Sequence, residues 1–280
     1  MGPGAASFKG QQMHIRNLGE LQGEVVVFGG PYSNQQALQA LVDVATDRGI
    51  PPARMICTGD IAAYCADPGA TLSLIADLGC PTIKGNCEEQ LASGALECGC
   101  GFEAGSTCSV LSNSWFSHCS ANVTPDQRIW MADLPDRIVF SLAGRRHVVI
   151  HGGADRTNAF VWSTTAPEEF RRQIHVLEDQ VGAVDVVLAG HSGIAFCRQV
   201  DGVTWVNAGA IGLPENDGCR QTRYVVLSPQ PDIRRLSYDA EAARAAMERA
   251  GLVQGYHQAL TDGHWPSEDV LPNALRRTTT

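Results

Sequence analysis

An α/β fold, with two β-rich halves packed face to face and helices on the outside, is what the sequence predicts. Three observations lead there. Strand and helix patterns alternate through the first third of the chain. The pattern turns β-rich from about residue 136. No internal repeat or evident linker separates the two parts.

The elements follow in order. EVVVF (24–28) is an apolar run of buried-strand type. Asn34 is a good helix N-cap, and Leu38, Leu41, Val42 and Ala45 then share one helical face until Gly49 and Pro51 stop the helix. RMICTGD (54–60) is a second strand running into a turn. ADPGATLSLIADLG (66–79) is a second helix, and PTIKGN (81–86) a short third strand and turn. This βαβαβ order implies parallel strands joined by right-handed crossovers.

Residues 95–125 are rich in Gly, Ser and Cys, and read as an irregular insertion with a short helix near 109–118. DRIVFSL (136–142) and RHVVIHGG (146–153) are strands about a turn. APEEFRRQIHVLEDQVG (166–182) is helical, VDVVLAGHSG (184–193) is strand then turn, and 194–209 is a hairpin about Asp201-Gly202. TRYVVLS and IRRLSY are the last strands, before a helix over 239–252. The expected organisation is a flexible lead-in over 1–22 and a single domain over 23–280. That domain carries the Cys-rich insertion and a helical extension over 239–280.

Composition narrows the function. A net charge of −9 and 18% charged residues argue against a general grip on nucleic acid, which needs a basic surface. No apolar stretch approaches the roughly 20 residues that span a bilayer. The N-terminal residues lack an apolar signal region, so a cytoplasmic location is the default. Ten cysteines in a chain of this size point to metal binding, catalysis or burial before disulfides.

Four polar turns each follow an apolar strand: TGD, KGNCE, IHGG and AGHSG. In open α/β sheets the carboxyl ends of strands line the ligand crevice, so Asp60, Asn86, His151 and His191 are candidates to converge. Two imidazoles, a carboxylate and an amide oxygen suit Mn, Fe, Co, Ni or Zn better than Ca or Mg. A lone Asp or Asn after a strand is ordinary turn chemistry. It is the repetition at successive strand ends that argues for a site.

The series TGDIAAYCADP, KGNCEE, VIHGG, LAGHSG and VNAGAIGLPENDG resembles the calcineurin-like metallophosphoesterases, and is most similar to their small bacterial phosphodiesterase branch. The resemblance implies a four-layer α/β/β/α sandwich with a two-metal site between the sheets. It implies that Asp60 bridges both ions and that Asn86, His151 and His191 complete the second. Asn207 and Gly209 match a structural or phosphate-facing turn, and Asn34 the end of the first motif. The implied activity is hydrolysis of a small-molecule phosphate ester, mono- or diester, by a metal-bound water.

The departures from the family pattern cluster. Gly30 stands where the first metal's Asp is expected, Tyr32 where its His is expected, and Gly193 at another of its ligands. Cys87 replaces a His that assists the reaction, while Glu88 falls where an acidic residue is usual. One metal position is lost as a unit and the other kept, so one or two ions are expected. Missing charge or proton transfer has candidates in Tyr32, Cys87 and Arg156, against the plainer readings of a space-filling Tyr and a surface Arg. A second possibility is a site rebuilt with sulfur from Cys87, Cys98, Cys100 and Cys108, holding zinc or an iron–sulfur cluster. A non-hydrolytic ligand-binding protein, or a redox- or metal-sensing one, is the alternative function on the same scaffold. Trp115, Trp162 and Trp205 read as core, with a pocket border as the second choice. Oligomeric state and substrate have no readable signal.

Overall fold

The computed structural model describes residues 13–277. Its strands are β1 (Ile15–Leu21), β2 (Val25–Phe28), β3 (Met55–Cys57), β4 (Arg137–Leu142), β5 (Arg145–Val149), β6 (Val186–Ala189), β7 (Phe196–Val200), β8 (Val203–Asn207), β9 (Thr222–Ser228) and β10 (Gln230–Leu236). The helices are α1 (Gln35–Asp47), α2 (Pro68–Leu78), α3 (Asn86–Ser93), α4 (Thr107–Ala121), α5 (Pro125–Asp133), α6 (Pro167–Val181), α7 (Ala240–Arg249) and α8 (Tyr256–Asp262).

Two sheets form. One runs β1-β4-β5-β6-β8-β7 and the other β10-β9-β2-β3. The period of two in β2 shows why they stack. Val25 and Val27 join a core with Ile138, Phe140, Val186 and Leu188 of the other sheet. Val26 and Phe28 point the opposite way, into a core with Leu38 and Leu41 of α1. On the far side, α6 buries Phe170, Ile174 and Leu177 against Val148, Val187 and Trp205. The layers are therefore α/β/β/α. β2 and β3 are parallel, joined through α1, and β5, β6 and β8 are parallel in the other sheet.

Several expectations need correction. Ile15–Leu21 lies within the segment read as a flexible lead-in, yet it is a strand paired in parallel with β4. Its side chains are mostly exposed, so backbone pairing holds it and no burial pattern reveals it. The rest of that reading, residues 1–12, lies outside the described residues, as do 278–280 at the end of the expected helical extension. The third strand at 81–86 shrinks to a single bridge between Cys57 and Thr82. The chain then enters α3 at Asn86, with the Glu88 carboxylate accepting from the Gly85 N–H at 2.9 Å.

The helix in the Cys-rich segment extends beyond 109–118 at both ends, started by Ser106 as N-cap. α5 has a capping box, Thr124 with Gln127, and Pro125 in its first turn. Those signals were readable, but weak amphipathicity hid the helix. Cys197 on β7 is exposed. In the extension, α7 and α8 are the helices; beyond them Asn273–Leu275 forms only a single 3-10 turn.

His147 on β5 carries a pH prediction. Its ring stacks on Phe140 (centroids 4.6 Å apart), Nδ1 lies 2.9 Å from the Arg145 carbonyl, and Nε2 has no partner among the described residues. Burial pushes its pKa down from 6.5 to about 4. The unfolded chain therefore takes up this proton first. The stability in question is present above pH 6.5 and is lost as pH falls towards 4. A loss of about 3 kcal/mol is expected, from 1.36 kcal/mol per pKa unit over the interval. Urea unfolding at the two ends of this window should show that loss in the wild type and much less in His147→Phe. Equal losses in both proteins would contradict the assignment.

Candidate metal centre and adjoining cavity

Strand ends supply the site. Asp60 follows β3 by a short turn, His151 follows β5, His191 follows β6, and Asn86 opens α3. All four are buried, at 4%, 1%, 9% and 2% exposure. Their donor atoms meet. His151 Nε2 lies 3.2 Å from Asp60 Oδ2, 3.1 Å from Asn86 Oδ1 and 3.2 Å from His191 Nδ1. Asp60 Oδ2 and His191 Nδ1 are 3.9 Å apart.

The surroundings fix which atoms face inward. His151 Nδ1–H donates to the Thr58 carbonyl at 2.6 Å, which leaves Nε2 as a bare lone pair. The Asn86 amide nitrogen donates to the Cys98 carbonyl at 3.0 Å and lies 3.5 Å from Cys100 Sγ, so its oxygen turns to the centre. Asn207 donates from Nδ2 to the Gly190 carbonyl (2.6 Å) and approaches Ser192 Oγ (2.9 Å), gripping the turn on both sides of His191. Asp60 and His191 have φ of 56° and 63°, left-handed values that non-glycine residues adopt mainly where the surroundings enforce them. Glu88 supplies the enforcement at Asp60. Its carboxylate accepts from the N–H groups of Asp60 and Ile61, both at 2.7 Å, and of Ala62 at 3.3 Å.

Asp60, Asn86 and His151 turn oxygen and nitrogen atoms towards one another with His191 Nδ1 beside them, a donor set that suits a cation. Ligands about 2.1 Å from a shared ion lie roughly 3.0–3.4 Å apart in octahedral or tetrahedral shells, so the spacing fits a transition-metal ion. Charge agrees. Burial opposes ionisation of Asp60, but His151 and His191 together hold its carboxyl well below the usual carboxylate range. Burial likewise opposes protonation of His151, and Asp60 overrides it to raise that pKa; at His191 burial wins and lowers it. Burial and the Asp60 charge push Glu88 up to about 7.

The other sequence candidates fare differently. Cys87 packs beside Asp60, with its N–H donating to Oδ1 at 3.2 Å, but burial and the Asp60 charge raise its thiol well above the ordinary value. Thiolate chemistry there is disfavoured. Arg156 is exposed, and its guanidinium has no hydrogen bond or ion pair among the described residues. The four-sulfur site does not form as expected. Cys98 and Cys100 are joined to each other as a disulfide, and Cys108 faces the Ser267–Val270 segment. Asn34 caps α1, accepting from Ala37 N–H at 3.0 Å, and Gly209 N–H closes onto Asn207 Oδ1 at 2.9 Å; both are structural.

Tyr32 accounts for the clustered departures. A Cβ added at Gly30 would fall within 2.8 Å of three ring carbons of Tyr32. One added at Gly193 would meet the Tyr32 hydroxyl at 3.7 Å and Trp265 at 3.6 Å. The ring and Trp265 thus occupy the space between positions 30 and 193. Burial and the Asp60 charge raise the Tyr32 phenol well above its ordinary value, so it stays protonated. Tyr32, His191 and Trp265 line one cavity. Trp265 was missed by sequence reasoning because it comes from the chain's far end. Trp115 and Trp205 are fully buried core.

Among the described residues, no helix is long and apolar enough to cross a membrane. Comparison with known proteins agrees with the geometry. Residues 32–230 match the calcineurin-like phosphoesterase superfamily domain. The chain is 25% identical over 215 residues to uncharacterized protein MJ0912 of Methanocaldococcus jannaschii, covering 76% of this chain and 80% of that one. It is similar in fold to a metallophosphoesterase of Sphaerobacter thermophilus (TM-score 0.66, 18% identity, 87% of this chain and 100% of that one). It is also similar in fold to hypothetical protein PH1004 of Pyrococcus horikoshii OT3 (TM-score 0.69, 12% identity, 88% and 100%).

Proposed function

The chain belongs to the calcineurin-like phosphoesterase superfamily and is a metal-dependent phosphoester hydrolase, and from that premise we propose that it works with one divalent transition-metal ion on a small organic phosphate ester. The observation that carries this reading is the approach of four donor atoms from Asp60, Asn86, His151 and His191 to within 3.1–3.9 Å around His151 Nε2 and Asp60 Oδ2. An ion held there supplies Lewis acidity towards a phosphoryl oxygen and makes water more acidic. The chain's own residues do the rest. Asp60 contributes the negative charge. The Thr58 carbonyl keeps the His151 proton on Nδ1. Asn207 and Glu88 hold the turns that present His191 and Asp60. Tyr32, which keeps its phenolic proton and lines the same cavity as His191, is the proposed donor to an ester oxygen.

A single ion is favoured because a tyrosine ring, not a carboxylate, fills the space beside Gly30. Elemental analysis of protein prepared without chelator is expected to give about one transition-metal atom per chain. Hydrolysis of 4-nitrophenyl phosphate or bis(4-nitrophenyl) phosphate is expected to stop with chelator and return with Mn or Zn. Two atoms per chain would refute the single-ion reading. One bound atom with no hydrolysis across a broad ester panel would favour a ligand-binding role instead.

A further inference from the structure

The cavity that opens beside His191 is lined by six aromatic side chains, Tyr32, Tyr64, Phe102, Phe160, Tyr256 and Trp265, and by no Lys, Arg, Asp or Glu among the described residues. It is built rather than incidental. Trp265 is held from both ends, its indole N–H donating to the Pro214 carbonyl at 2.6 Å and its backbone N–H to Asn216 Oδ1 at 2.8 Å. Tyr64 lies 4.7 Å from Tyr32 and 4.8 Å from Tyr256, ring centroid to centroid, and both pairs meet edge to face. Phe160 stands 4.4 Å from the His191 ring and stacks within 5° on Trp162.

Charge decides what fits. A cavity without cations does not hold a second phosphate, and one without carboxylates does not hold a second metal ion. Rings in this number favour a flat π-system through stacking and edge contacts, each worth more than area burial alone. His191 belongs to both the metal centre and the cavity wall, so whatever fills the cavity sits one side chain from the phosphate. We propose that this cavity receives a flat aromatic group esterified directly to the phosphate, so that the enzyme selects aryl or arylmethyl phosphate esters over aliphatic and polyphosphorylated ones. The inference rests on the hydrolase reading above. It goes beyond that reading in assigning the cavity beside His191, walled by Tyr32 and Trp265, to the substrate's organic group.

The test uses the full-length, metal-loaded chain and three phosphonates whose C–P bond resists hydrolysis: benzyl-, cyclohexylmethyl- and methylphosphonate. Calorimetry gives their dissociation constants. Benzylphosphonate is expected to bind at least tenfold more tightly than methylphosphonate and at least threefold more tightly than the cyclohexyl compound. In Trp265→Ala the benzyl-to-methyl ratio is expected to fall to within twofold. The wild-type series needs no variant, so it stands even where Trp265→Ala fails to fold. Equal binding of benzyl- and methylphosphonate, or of benzyl and cyclohexylmethyl, overturns the proposal while leaving the hydrolase reading intact. So does a ratio that survives Trp265→Ala. If no phosphonate binds and no aryl ester is cleaved, both fall together.

Discussion

His151→Ala is expected to reduce phosphoester hydrolysis by roughly 10³-fold or more, and to remove most of the protein's metal affinity. His151 Nε2 lies 3.1–3.2 Å from the donor atoms of Asp60, Asn86 and His191. Truncation leaves a buried Asp60 carboxylate without its nearest partner, so the variant should also respond differently to the ion itself. A ligand at a hundred times its dissociation constant stabilises the folded state by about 2.7 kcal/mol. Thermal unfolding with and without added Mn or Zn should therefore show a clear upward shift in the wild type and almost none in His151→Ala. The double variant with His191→Ala should add little. Hydrolysis within tenfold of wild type in that double variant would remove these residues from the chemistry.

Gly30→Ala is expected to destabilise the fold by about 3 kcal/mol. Roughly 1 kcal/mol arises from the left-handed backbone, φ 42°, and the remainder from overpacking against Tyr32. Tyr32→Ala alone costs the burial of a large ring, about 3 kcal/mol. If the ring is what excludes a side chain at position 30, the two costs do not add. The double variant should be more stable than their sum by about 2 kcal/mol, a coupling in the range seen for residues in contact. Urea unfolding of the four proteins measures it. Additivity within about 0.5 kcal/mol would mean that Tyr32 does not hold the space against residue 30.

Much of the candidate metal centre was legible because its signals are local. Asp60, His151 and His191 each stand directly after an apolar run, and a strand's end is a short-range feature. The layered fold was legible for the same reason: alternation in β2 and the helical spacing of Leu38 and Leu41 each encode a face. What escaped depends on contacts between distant segments. β1 is held by backbone pairing to β4, which leaves no pattern in its side chains. The meeting of Tyr32 with Trp265 spans most of the chain. Cys98 and Cys100 looked like ligands by composition, but their place beside the Asn86 amide makes them a support for a donor rather than donors themselves. Arg156 looked useful because it follows His151 closely in sequence, yet the turn carries it outward to solvent.

Glu88 has a consequence for how this protein tolerates change. It touches none of the cavity's walls, yet its carboxylate gathers the amides of residues 60, 61, 62 and 85. An inventory of ion-binding atoms alone would pass over it. Shortening it by one methylene, as Asp, would free several amides at once and let the peptide before Asp60 relax to an unstrained rotation. The oxygen proposed to anchor the ion would then swing away although its own side chain was never altered.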